Sequence, residues 1–215
     1  MLAEEKIRSH FDADARRFDA IYEDEKSIFN SWVDNVWRGV VRQRFDLTLA
    51  RLEPLAGKSV LDVGCGSGRY AIACATRGAA LVVGIDFAAA MIELAREYAR
   101  RSGVADRCEF RRGKFPEDVP DGPFDACIAM GFFDYTANPV PIISRMRELT
   151  RSTMVMSFPK AAEWRAPVRR LRFRLLGCPL FLYRESRVRK ILSDAGVTNY
   201  DWIALDRDYI VVAYL

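Results

Sequence analysis

Between residues 58 and 159 the chain alternates two textures, and this alternation constrains the fold more than any other feature. "KSVLDVG", "ALVVGIDF", "CEFRRG", "FDACIAMG" and "TMVMSFP" are short apolar runs, while "RYAIACATRG", "AAMIELAREYARRSG" and "VPIISRMRELT" carry apolar residues at helical spacing. Short buried runs alternating with helices predict βαβ units and a largely parallel sheet covered by helices on both faces. The C-terminal part departs from the pattern. "SRVRKILSDAG" reads as a helix closed by Gly196, and then "YDWIALD" and "DYIVVAYL" follow with almost nothing between them. A parallel pair needs a crossover of about a dozen residues or more, so these two runs are expected to form an antiparallel hairpin. The predicted architecture is α/β, with a seven-stranded, mostly parallel sheet and one antiparallel strand near an edge.

Upstream of this core, residues 1–50 read as an N-terminal helical cap. Phe11, Phe18, Ile21 and Tyr22, then Ile28, Trp32, Val33, Val36, Trp37 and Val40, recur at helical spacing without strand-like alternation. Residues 51–215 form the predicted core, with an acceptor-side insertion at about 160–185. No apolar run reaches the ~18 residues of a membrane span, and the charged start "MLAEEKIRSHF" lacks an apolar signal core. The five cysteines are scattered with no Cys-x-x-Cys pair, and His10 is the single histidine. Neither a disulfide framework nor a metal site is signalled, and a cytoplasmic protein without a metal is expected.

The glycines after the first apolar run lie at Gly64, Gly66 and Gly68, with Asp62 just before them. A strand-to-helix turn at the carboxyl end of a parallel sheet is the usual ligand position in open α/β folds. The dinucleotide fingerprint is Gly-x-Gly-x-x-Gly, and its third glycine position holds Arg69 here. Asp62 disfavours a pyrophosphate and favours a cationic group. Asp86 ends the second apolar run, where a carboxylate can accept both hydroxyls of a ribose. The ligand should then carry a ribose and a positive charge and need no phosphate, a description that S-adenosylmethionine meets. Asp62 as a helix cap and Asp86 as an ordinary strand-end residue are the bland alternatives.

On "VLDVGCGSG", "GIDFAAAMIELA" and "FDACIAMGFFDYTANP" the sequence resembles the class I S-adenosylmethionine-dependent methyltransferases over about residues 55–160. The resemblance implies a Rossmann-like core, S-adenosylmethionine as cofactor and S-adenosylhomocysteine as product. It implies that Asp62, Gly64, Cys65, Gly66, Ser67 and Gly68 line the methionine half, and that Asp86 holds the ribose with Phe87 and Met91 near the adenine. Met130 and Gly131, after the fourth run, pass the cofactor. The segment after the third run usually reads Gly-Asp in this family and bonds the adenine amino group; here it is Gly113–Lys114. Lysine cannot accept a hydrogen bond, so backbone groups around Lys114 and Phe115, or packing alone, must read the adenine.

The acceptor side is less determined. Asp134 can take up a proton or cap a helix, and Tyr135, with an ordinary pKa of about 10, suits orienting an acceptor by hydrogen bonding. His10 is a candidate base, Tyr22 a candidate pocket residue, and Arg44 a candidate partner for the cofactor's carboxylate. Trp32 and Trp37 fit a pocket or a core equally well. Nine basic residues fall between Arg165 and Lys190, interleaved with large apolar ones. That mixture suits a small or amphipathic acceptor, an acidic one included, or peripheral contact with a membrane surface through residues 160–190. The expected reaction is direct in-line methyl transfer to a small or lipid-like acceptor at oxygen. An RNA or protein N-methyltransferase and a non-catalytic cofactor-binding scaffold are the alternatives. Nucleic acid is the less favoured partner, because no Asn/Asp-Pro-Pro-Tyr type motif follows the fourth run.

Overall fold

Strand β1 (Ser59–Val63) lies in the middle of the sheet because both of its faces are buried and both of its edges find parallel partners. β2 (Leu81–Asp86) pairs with it on one side and β4 (Phe124–Ala129) on the other. β3 (Cys108–Arg112) continues in parallel beyond β2, and β5 (Thr150–Pro159) beyond β4. β7 (Asp208–Tyr214) then runs antiparallel to β5, and β6 (Tyr200–Ala204) runs antiparallel to β7 at the edge. The order is β3-β2-β1-β4-β5-β7-β6. The expected hairpin is therefore present, and the last strand is the one inserted between β5 and β6. This computed structural model describes residues 31–118, 121–161 and 180–215, with side chains described from Arg42 onward.

Helices cover both faces. On one side, Val60, Val82, Ile128, Val155, Ile210 and Val212 meet residues from three helices: α1 (Ser31–Leu52), α2 (Arg69–Thr76) and α3 (Ala89–Arg101). On the other, Leu61, Val63, Ile85, Met154 and Val211 meet Ile143 and Met146 of α4 (Pro139–Glu148) and Val188 and Ile191 of α5 (Glu185–Asp194). The period-two alternation of β1 thus sends Leu61 and Val63 one way and Val60 the other, with Asp62 on the Val60 side. Helix α1 runs through residue 50 and buries Thr48, Leu49 and Leu52 against the sheet.

The chain winds outward from β1 through β2 to β3, then returns to β4 on the opposite side. The crevice at the carboxyl ends of β1 and β4 is consequently the topological switch point, where open α/β sheets bind ligands. The turns carrying Gly64 and Gly131 both lie there.

Candidate cofactor and acceptor site

The turn after β1 is shaped by backbone hydrogen bonds to the neighbouring strand. The Gly64 and Cys65 N–H groups donate to the Ile85 carbonyl at 2.9 and 3.1 Å, and the Gly68 N–H donates to the Cys65 carbonyl at 2.9 Å. Gly68 starts α2 in the left-handed region, at φ 79°, where a side chain would be strained. Gly64 is also left-handed, and a Cβ there would stand 2.5 Å from Phe132 Cδ2, so the glycine lets the Phe132 ring lie on the backbone. Gly66 differs: no described atom lies within 4 Å of where its Cβ would stand, so this backbone is open to a ligand.

Asp86 ties three segments together. Its Oδ2 accepts the Gly66 N–H at 2.9 Å, its Oδ1 accepts the Ala88 N–H at 2.9 Å, and its carbonyl accepts the Gly113 N–H at 2.9 Å. A carboxylate offers about four acceptor positions, so two ribose hydroxyls can join two amides. Beside it, Ala88, Met91 and Leu94 form a small apolar cluster separate from the two main cores, with Phe87, Ala90 and Tyr98 packed on it. This shelf suits the flat face of a base.

Asp62 is 2% exposed. The Ala71 N–H, in the first turn of α2, bonds to it, and its Oδ2 has no hydrogen-bond partner among the described residues. The capping alternative is thus half realised: Asp62 serves α2 from the strand just before it, while the cap position is Gly68, without a side-chain bond. Burial, then the charge of Asp86, pushes the Asp62 carboxyl up to about 7 against the Ala71 bond. A buried, orphaned carboxylate oxygen at the end of the strand that leads into an open glycine turn fits a cationic ligand group.

After β3, the Lys114 backbone is engaged by Asp118. Its N–H donates to Asp118 Oδ2 at 2.8 Å, and its carbonyl accepts the Asp118 N–H at 2.7 Å. The Lys114 ammonium lies 3.3 Å from Glu117, and the Phe115 side chain is buried with Ile85 in the main core. Asp118 was not singled out from the sequence, although it stands four residues after Lys114 in "GKFPED"; the local turn was the only signal.

On the β4 side, Met130 is buried, with its Sδ 3.6 Å from Thr48 Oγ1, and the Gly131 N–H donates to Ser157 Oγ at 2.8 Å. Arg44, on α1, pairs its Nη1 with Asp208 Oδ2 at 3.2 Å, and its Nη2 lies 3.9 Å from the place of a Gly131 Cβ. Asp134 and Tyr135 are half-buried in a 3-10 turn, Phe133–Tyr135. Neither helical cap next to this turn is Asp134: the positions are Phe132 and Asn138. The Asp134 carbonyl accepts the Phe181 N–H at 2.8 Å, and Tyr183 Oη lies 3.1 Å from the Phe133 carbonyl and 3.0 Å from that of Thr136. Rings run on from there: Phe132 against Phe133 at 5.5 Å, Phe133 stacked on Phe158 at 4.7 Å, and Phe158 against Tyr183 at 5.4 Å. His10, Tyr22 and residues 162–179 of the insertion lie outside the described residues.

Strand order, glycine turn, paired acidic residues and apolar shelf define a doubly wound α/β protein that binds a nucleoside-type ligand at its switch point. The chain belongs to the methyltransferase-domain family, whose model matches residues 55–178, and it has the class I methyltransferase fold. Magnesium protoporphyrin IX methyltransferase from Synechocystis PCC 6803, solved with bound SAH, superposes with a TM-score of 0.80 at 23% identity, covering 98% of this chain and 99% of that one. A ubiquinone biosynthesis O-methyltransferase of Neisseria meningitidis is 32% identical over 145 residues, 63% of this chain and 61% of that protein. A ribosomal protein L11 methyltransferase of Enterobacter is 48% identical over 67 residues, 31% of this chain and 22% of that protein. These two matches thus span less than two thirds of the relatives' own lengths. Among the described residues no helix is long and apolar enough to cross a membrane, and no group of three or more acidic, histidine or cysteine side chains could hold a metal.

Proposed function

We propose that the protein is an S-adenosylmethionine-dependent methyltransferase that methylates a small or lipid-like acceptor at oxygen. The observation that carries the cofactor reading is the Asp62–Gly66–Asp86 arrangement. It combines a buried carboxylate oxygen without a partner, an open glycine, and a second carboxylate held rigid by two amides. When bound, the cofactor supplies an activated methyl carbon, which passes from the sulfonium to the acceptor oxygen as the carbon–sulfur bond breaks to leave a neutral thioether. In this reading Asp86 orients the ribose, the shelf of Phe87 and Met91 packs on the adenine, and the Gly64–Gly68 turn and Asp62 receive the amino-acid tail. Arg44, anchored by Asp208, is assigned to the tail carboxylate. Alignment and exclusion of water then supply most of the acceleration.

The acceptor is assigned to the side of Phe132, Asp134, Tyr135 and Phe181, because the turn after β4 and the end of the insertion meet there. Asp134 would hold the proton released by a hydroxyl acceptor, and Tyr135 would orient the acceptor. An acceptor already ionised needs no base. The relatives' small-molecule acceptors and the apolar character of the insertion support this class. A protein acceptor is the second reading, favoured by the 48% identity to the L11 methyltransferase.

Titration calorimetry tests the cofactor. Binding of S-adenosylmethionine is expected, and Asp86→Ala should weaken it by about 1.5–3 kcal/mol, as for other charge-assisted hydrogen bonds. An unchanged affinity would remove the ribose assignment. A labelled-methyl screen against phenols, carboxylic acids, amines, protein and RNA decides the acceptor. Label on amines or protein alone would overturn the oxygen reading, and binding without turnover on any acceptor would favour a scaffold.

A further inference from the structure

Asp62 sits where an interior tolerates a charge least. The charged group acting on it is Asp86, of the same sign, at the end of β2. Four thiols lie within its field: Cys65 in the turn, Cys74 on α2, Cys108 on β3 and Cys127 on β4. Burial pushes all four thiols up, Cys108 to about 11, so none carries charge near neutral pH. The turn that follows its strand is open at Gly66, where no described atom lies within 4 Å of a Cβ position. Burial, a like charge and an orphaned oxygen together favour the protonated acid in the absence of a cation.

We infer that a ligand placing an ammonium group in the Gly64–Gly68 turn ejects a proton from Asp62, so that binding of cofactor and product is proton-linked through this one carboxyl. The inference rests on the cofactor reading above and adds a thermodynamic role for Asp62. The balance is simple: the carboxyl O–H bond breaks, the proton leaves to solvent, and the carboxylate left behind pairs with the ligand cation. An opposite charge within a few ångströms lowers a carboxyl pKa by about 1–3 units. The carboxyl is raised towards neutrality before binding, so binding between pH 6 and 7 releases a proton, and the release fades as pH rises above that range. Affinity rises with pH up to neutrality and then levels off.

The experiment is calorimetry on the full chain at pH 6–7.5, in buffers of different ionisation heat. The probes are S-adenosylhomocysteine and 5′-methylthioadenosine. The first has the amino-acid tail; the second has the same adenosine and a thioether but no tail, and so controls for Asp86. Net proton release at pH 6–7 with S-adenosylhomocysteine, and close to none with 5′-methylthioadenosine, is expected. Asp62→Asn, a neutral mimic of the protonated acid, should lose the release. Should that variant not bind S-adenosylhomocysteine, the comparison of the two probes on the unaltered protein decides. Tight S-adenosylhomocysteine binding without proton release, or equal release with both probes, overturns the inference and leaves the cofactor reading standing. No binding of S-adenosylhomocysteine at millimolar concentration overturns both.

Discussion

Asp62 and Asp86 are two acids of the same kind, made different by where their oxygens find donors. Asp86 has an amide for each oxygen; Asp62 has one amide and one bare oxygen. The unliganded fold therefore has a pH signature. In the folded chain the Asp62 carboxyl titrates at about 7, against 3.8 for the unperturbed group. A group raised on folding contributes stability that is fully present below the unfolded value and is lost as pH rises through the folded one. Asp62→Asn should therefore be nearly neutral below pH 4 and more stable than the parent at pH 8, by at least about 1.4 kcal/mol, the equivalent of one unit. Urea unfolding of both proteins at the two pH values checks this; parallel curves would show that the buried acid is relieved in some other way. At this scale the sequence was informative where chemistry is local. Asp62, Gly66 and Asp86 stand at strand ends recognisable from a few neighbours. Asp118, Ser157 and Thr48 were not legible, because each is defined by a partner brought to it by the fold or by a tight turn.

Among the elements, the turn after β4 is fixed more firmly than its sequence suggested. "GFFDYT" showed two aromatics, an acid and a tyrosine after a strand, and nothing in it announced a ladder from Phe132 to Tyr183. Phe133 and Phe158 are fully buried and stacked. Phe133→Ala should cost about 3–5 kcal/mol of stability. Tyr183→Phe removes the hydroxyl but keeps the ring, and should cost about 1 kcal/mol, the net worth of one hydrogen bond. Burial, and after it the charge of Asp134, raises the Tyr183 hydroxyl above the ordinary phenol value, so it remains a donor throughout the neutral range. Denaturant midpoints with unchanged slopes would separate these local losses from a wider rearrangement. Helix α1 carries the opposite lesson. Its helical spacing was plain, but only the fold turns Thr48, Leu49 and Leu52 into part of the core.

Over the whole molecule, the sheet was legible because parallel strands buried on both faces leave continuous apolar runs. The place of β7 was not, because a hairpin can add to a sheet by either of its strands. Hydrogen-bond register decides it: β7 pairs with β5 from Thr153–Tyr214 to Pro159–Asp208. A ligand bound at the switch point links these parts thermodynamically. At a hundred times its dissociation constant it adds about 2.7 kcal/mol, which for a chain of this size raises the melting temperature by about 5–10 °C. Thermal unfolding with saturating S-adenosylhomocysteine should show that rise, and Asp86→Ala should show much less of it. Residues 161 and 183 are joined by the Ala161 N–H to the Tyr183 carbonyl at 2.8 Å, and the Tyr183 N–H returns to the Pro159 carbonyl at 2.8 Å. Residues 159–161 and 183 are thus held together at a part of the sequence distant from Asp62 and Asp86. Lengthening a segment whose ends are already fixed costs little, since closure entropy grows only slowly with length. A change of length between residues 161 and 183 is therefore expected to leave the strands that carry Asp62 and Asp86 in register.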